Sequence, residues 1–369
     1  SEFVYLPEVL LVIIFGLWAY PRFKDLKSRL NQPLPKLLGL FLLNALLVTL
    51  WKGDFLLGVT FVWRVVEAGM LYFLIVDKIL APREAVRILL FGAVFQVLLS
   101  LFQWGLNQSV GLSIVGEPLI GSDVLNVAKI DLANGTKHIR PYGTFLHPNI
   151  LVAYLLTILF IAFDYLKARQ RLFWFLLFGL GVFLTHSLAG WGAVIVGLGL
   201  WAFFSFFQSH AVRRGIILAL LAVLVLGGTW VFFNSHRVNL LTPSYAERLE
   251  QNVMGRAIFR EYPFGVGVRN FTLKMEDFSE AKLKPWEFQP VHNTYFLILN
   301  ETGIQGLVLL LIFLAFLFDK YWVGGRAIPL VVLVLLAPFD HFLWDSWAGL
   351  MLLALAASFF ALHNKAPQP

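Results

Sequence analysis

Apolar runs long enough to cross a bilayer recur along the whole 369-residue chain, and they constrain the fold more than any motif. In hydrocarbon every backbone N–H and C=O must find its partner inside the protein, so such runs fold as helices. Eleven spans are expected, at 4–20, 36–50, 55–76, 87–106, 148–165, 172–186, 190–207, 215–233, 292–318, 327–338 and 346–362. Pro329 and Pro338 mark the short span 327–338 as irregular. Charged residues are 14% of the chain, against about a quarter in a soluble domain, and hydrophobic residues 59%. The expected fold class is all-α: a polytopic transmembrane helix bundle forming a single transmembrane domain over residues 1–369. The absence of cysteine excludes disulfides, thiol chemistry and Cys-based metal sites. The first residues, Ser1-Glu2-Phe3, lack Met and are read as an added cloning scar or the edge of a truncated chain, and no cleavable signal peptide is seen.

Basic residues orient the spans. Arg22, Lys24, Lys27, Arg29 and Lys36 share one loop; Lys78, Arg83 and Arg87, then Lys167, Arg169 and Arg171, then Arg213 and Arg214, then Lys320 and Arg326 follow on the same side. The positive-inside rule makes that side cytoplasmic and assigns the net charge of +7 to membrane anchoring, with no nucleic-acid partner. The opposite side receives two long polar segments, the outer loop 107–147 and the large loop 234–291. Both are too long to be simple connectors, so function is expected there. Six of the eight histidines (138, 147, 186, 236, 292 and 341) fall on or near that side.

The large loop re-enters the membrane at His292-Asn293, and after nine intervening residues comes Gly303-Ile304-Gln305-Gly306. Eleven residues are about three helical turns, which places His292 and Gly303 on one face. The two glycines then admit close approach of another helix. An imidazole at the lip of a membrane cavity suits a general base; a lone histidine there also suits helix capping. Upstream, Ser244-Tyr245-Ala246-Glu247 reads as a capping box opening a helix to about Glu261, where Pro263 and Gly265 end it. Leu249, Val253 and Ala257, with Met254 and Ile258, form its apolar face; Arg248, Asn252, Arg256 and Arg260 form a cationic stripe. Two readings stand for the stripe: snorkelling arginines of a membrane-surface helix, or guanidinium forks that bind pyrophosphate. The glycines of Gly265-Val266-Gly267-Val268-Arg269-Asn270 suit close backbone approach to a ligand. A second constellation, Arg140-Pro141-Tyr142-Gly143-Thr144-Phe145-Leu146-His147-Pro148-Asn149, enters the span 148–165. Inside the membrane Arg64, Glu67 and Glu301 need partners: either Arg64 with Glu301, at similar depth, or Arg64 with Glu67 three residues on.

On these residues the chain resembles the bacterial O-antigen ligase and polysaccharide polymerase superfamily. The resemblance covers most of 140–310 and rests on the His292-Asn293-x9-Gly303-x-x-Gly306 run, on Arg140-x-x-Gly143-x-Phe145 through Pro148-Asn149, and on Arg248 leading into Pro263, Gly265, Gly267 and Phe271. It implies a GT-C-like membrane glycosyltransferase, usually of twelve spans, one more than is read here. The implied donor is a glycan on undecaprenyl pyrophosphate at the outer face of the inner membrane. The implied acceptor is a hydroxyl of lipid A-core or a similar molecule. His292 is then the catalytic base. Arg248, Arg140, Arg256 and Arg260 hold the donor pyrophosphate, and Asn293, Glu301, His147, Asn149, His186, Gly303 and Gly306 support the site. No metal or other cofactor is expected, and transfer proceeds with inversion. The chain departs from the family where Thr185-His186-Ser187 is followed by Leu188, so a family arginine is missing; His186 or Arg140 substitutes. Repeat-unit polymerisation is the alternative activity and transport of a lipid-linked glycan a third, disfavoured by the lack of an internal repeat.

Overall fold

The computed structural model describes residues 6–132, 135–206, 243–279, 282–284, 287–321 and 324–362. In chain order the helices are α1 (Leu6–Ala19), α2 (Phe23–Leu30), α3 (Pro33–Lys52), α4 (Phe55–Val76), α5 (Pro82–Leu106), α6 (Pro148–Phe163), α7 (Ala168–Leu184), α8 (Leu188–Phe206), α9 (Pro243–Glu261), α10 (Phe271–Lys274), α11 (Thr294–Tyr321), α12 (Ile328–Leu336), α13 (Phe342–Asp345) and α14 (Trp347–Leu362). Two three-residue strands, β1 (Lys129–Asp131) and β2 (Lys137–Ile139), pair antiparallel. Among the described residues six stretches are long and apolar enough to cross a membrane: Leu6–Leu30, Pro33–Lys52, Phe55–Val76, Pro82–Leu106, Leu188–Ser205 and Thr294–Phe318. The protein is an all-α, multi-pass membrane protein. The expected span 215–233 lies outside the described residues, as do Arg213, Arg214 and His236; each other span falls on a helix.

Two of the expected spans fall on helices packed in the interior. Every residue of α6 except Tyr154 is buried, and so are all nine residues of α12. Nine residues rise about 14 Å, well short of the hydrocarbon thickness, and a helix apolar all round belongs inside a protein. Pro329 stands in the first turn of α12, and Pro338 in the 3-10 turn that follows it, Ala337–Phe339.

The chain divides into two compact units: Ser1–Leu74, Ser209–Trp322 and Ala337–Ala354 form one; Ile75–Gln208, Val323–Leu336 and Leu355–Pro369 form the other. In the second unit α6 packs against α5, α7 and α12. Gln96 and Gln103, seven residues apart on one face of α5, fasten the entering loop. Gln103 Oε1 accepts the N–H groups of Tyr142 and Gly143, and Gln96 Oε1 accepts that of Thr144. Gly143 has φ 59°, and a Cβ there would lie 2.2 Å from Gln96 Oε1, so only glycine fits.

In the first unit α3 and α11 pack along each other, α9 packs on α11, and all three feed one core that includes Phe41, Phe61, Ile258, Phe271, Phe296 and Trp344. The arrangement turns on a break in α11. Gly303, at φ 75° and ψ 179°, is not helical, and the segment after α9 plugs the gap. Val266 and Gly267 donate to the carbonyls of Asn300 and Glu301, at 3.0 and 2.9 Å. Asn44 Nδ2 donates to the Thr302 carbonyl at 3.0 Å, and Ile304 donates to Pro263 O at 3.1 Å. These bonds satisfy the carbonyls of Asn300, Glu301 and Thr302 and the N–H of Ile304. Gly303 therefore admits a loop and not a helix, which corrects the expectation. Gly306 does face another helix, with Asn44 of α3 2.9 Å from where its Cβ would be. The glycines of 265–267 bring backbone close to protein: a Cβ at Gly265 would lie 2.6 Å from Glu301 O, and one at Gly267 2.9 Å from Gly53 Cα.

Candidate functional site

His292 is placed by the start of α11. Asn293 caps that helix, its Oδ1 accepting the Phe296 N–H at 3.1 Å. Thr294 donates from both its backbone N–H and its hydroxyl to the Asp340 carbonyl. His292 stands just before this cap, in a bend. Since the helix begins after it and breaks at Gly303, the two do not share a helical face, contrary to expectation. Its Nδ1 lies 2.7 Å from Gln251 Oε1 on α9. A glutamine oxygen only accepts, so Nδ1 carries the proton and the lone pair resides on Nε2. That is the tautomer a general base needs.

Gln251 is buried, and with Gly255 and Ile258 it forms the face of α9 that meets the core. Met254 and Ile258 of the expected apolar face pack there, but Val253 is 51% exposed. The helix begins at Pro243, one residue before Ser244; the side chains of the expected capping box lie outside the described residues. At 100° per residue Arg248 is about 60° around the helix from Gln251, Arg256 about 140° and Arg260 about 180°. Arg248 thus shares the face turned toward His292, and Arg260 lies opposite. Arg256 is held below the usual guanidinium range by burial and by the charge of Arg260.

Sequence reasoning missed the other side of His292. His341 lies with its ring centroid 5.2 Å from that of His292, the planes at 75°. Its Nδ1 is 2.7 Å from Asp345 Oδ2 across one turn of α13, and its backbone N–H donates to Asp340 Oδ1 at 2.7 Å. Trp344 anchors this turn by donating from Nε1 to Glu301 Oε2 at 2.6 Å and by packing on Phe61. Arg269 reaches the same turn, donating to the Asp345 carbonyl at 3.2 Å. Glu301 therefore partners Trp344 and the Phe271 N–H, not Arg64. Arg64 pairs with Glu67, as one of the two expectations had it, and also with Glu8, while Trp347 Nε1 donates to Glu67. The i,i+4 spacing of His341 and Asp345 was the one signal in the sequence for this pair.

In the second unit Arg140 Nε donates to the Thr185 carbonyl at 2.6 Å, and its terminal nitrogen to Asn149 Oδ1 at 3.2 Å. Ser187 also donates to Asn149 Oδ1. Arg140 therefore lies beside Thr185-His186-Ser187. His147 is the N-cap of α6, its Nδ1 accepting the Asn149 N–H. His186, at φ 48°, stacks on Trp104, whose ring centroid lies 4.0 Å from that of His138. Burial and the charges of Arg140 and His138 press His186 toward its neutral form. Among the described residues no group of three or more His, Cys, Asp or Glu side chains is arranged to hold a metal ion.

Residues 172–311, less than half of the chain, match the O-antigen ligase family model, a segment that contains Arg248, His292, Gly303 and Gly306. The match supports the superfamily of O-antigen ligases and polymerases. No curated protein matches the chain.

Proposed function

We propose that this multi-pass protein is a glycosyltransferase of the O-antigen ligase type that works at the outer face of the bacterial inner membrane. It moves a glycan from undecaprenyl pyrophosphate to a hydroxyl of lipid A-core or a similar acceptor. The observation that carries this reading is the His292–Gln251 contact, which puts the ring proton on Nδ1 and the basic lone pair on Nε2. The acceptor O–H gives its proton to Nε2 as its oxygen bonds to the anomeric carbon. The anomeric C–O bond to pyrophosphate breaks on the opposite side, so configuration inverts and undecaprenyl pyrophosphate leaves. Arg248, next to Gln251 on α9, neutralises the charge growing on the leaving group, with Arg256 in support. Arg260, on the far side of the helix, ranks last. No divalent cation takes part. Joining repeat units to one another uses the same steps with a different acceptor.

The test is to incubate the purified full chain with a lipid-linked glycan and either lipid A-core or a second lipid-linked glycan, and to identify the product by mass spectrometry. A lipid A-core glycoconjugate is expected. Chain growth on the lipid carrier would select the polymerase, and no transfer in either case would overturn the enzyme reading.

A further inference from the structure

His341 and Asp345 lie beside the proposed base, and the transfer chemistry leaves both unused. We propose that His341, clamped by Asp345, is a positioning residue that orients the His292 ring by edge-to-face contact and keeps that ring neutral by standing next to it as a cation. This role rests on His292 being the base.

Four observations support it. Two rings 5.2 Å apart at 75° meet edge to face, an arrangement that the ring quadrupoles favour. The 2.7 Å contact of His341 Nδ1 with Asp345 Oδ2 fixes the His341 ring and stabilises its charged form. Asp340 and Asp345 belong to the same segment as His341; Glu301 faces it from α11 through Trp344; Arg269 holds the Asp345 carbonyl; Arg248 stands one turn from Gln251 on α9. Last, burial alone would lower the His341 pKa, but the charge and hydrogen bond of Asp345, with the charges of Asp340 and Glu301, raise it to about 9. His341 is therefore protonated at neutral pH. A second proton on His292 then meets a like charge at close range, which lowers the affinity of His292 for it.

The experiment reads His292 directly. Full-length protein in detergent is treated with diethyl pyrocarbonate, which acylates only neutral imidazole, across a range of pH, and modification of the His292 peptide is followed by mass spectrometry. His341→Gln removes the neighbouring cation, so the midpoint for His292 rises by about one pH unit. Asp345→Asn moves it the same way, because His341 loses the carboxylate that keeps it charged. In the transfer assay the acid limb of kcat/KM rises by the same amount, while the donor KM is unchanged. A merely structural role for His341 would lower turnover at every pH without moving the limb. Midpoints within about 0.3 unit of wild type in both variants would overturn the proposal. Shifted midpoints in a protein whose transfer survives His292→Ala would uphold the effect of His341 on the His292 ring and overturn the base assignment, and with it the catalytic meaning of that effect.

Discussion

Gly303→Ala is the perturbation whose cost the structure defines best. At φ 75° and ψ 179° Gly303 occupies a region open in practice only to glycine, and an L-residue there costs on the order of 1–3 kcal/mol. The new Cβ would lie 2.4 Å from the backbone carbon of Phe264 and 2.5 Å from its oxygen, so the loop must withdraw by about 1 Å to reach ordinary contact. The bonds of Val266 to Asn300, Gly267 to Glu301 and Ile304 to Pro263 are 2.9 to 3.1 Å long, and that withdrawal stretches them out of range. Each contributes about 0.5–1.5 kcal/mol net, and more if its groups stay buried and unpaired. The expected destabilisation is about 3–5 kcal/mol. Gly179→Ala is the control: nothing lies within 4 Å of its Cβ, so it stabilises α7 by up to about 1 kcal/mol. Unfolding is followed by tryptophan fluorescence in detergent, and local opening by hydrogen exchange at residues 265–267 and 304. Gly265→Ala crowds the same joint, so the double variant costs less than the sum of the two. A Gly303→Ala protein as stable as Gly179→Ala, with unchanged exchange at Val266 and Gly267, would refute the reasoning.

Three further outcomes are expected. Arg248→Lys weakens donor binding in detergent, because an ammonium poorly replaces a guanidinium fork on phosphate; unchanged donor affinity would return α9 to the role of a membrane-surface anchor. Transfer proceeds at full rate in excess EDTA, and a loss restored specifically by Mg²⁺ or Mn²⁺ would contradict the scheme. Glu117 is pushed up by burial but held below the usual carboxylate range overall by Gln103 and the N–H groups of Val110, Leu112 and Gly111. A depressed carboxylate stabilises the fold above its unfolded pKa and loses that contribution as pH falls through its folded pKa. Glu117→Gln should therefore cost about 1–3 kcal/mol at neutral pH and flatten the acid side of the melting-temperature profile.

The helices were legible because apolar runs in a membrane have few alternatives, and the glycines were legible as positions where something comes close. What comes close was not. The break at Gly303 follows Asn300, Glu301 and Thr302 inside a long apolar stretch, and periodicity carries no sign of a positive φ. Gln251 was passed over because α9 was read by its arginines and aliphatics, whereas its buried face is Gln251, Gly255 and Ile258. The strands β1 and β2, three residues each, are too short for alternation to register. The Arg64 network was half legible: Glu67 is a local neighbour, but Glu8 comes from a helix 56 residues away in sequence. The His341–Asp345 pair had a visible spacing, yet only the fold brings it to His292.

The central claim is that the Nε2 lone pair of His292 takes the acceptor proton, and the most direct measurement is the transfer rate of His292→Ala against wild type with the same donor and acceptor. Folding is checked by an unchanged melting profile. The account predicts a loss of roughly 10²–10⁴ in turnover, the range for removing a general base. Near wild-type transfer by the folded His292→Ala protein would contradict it.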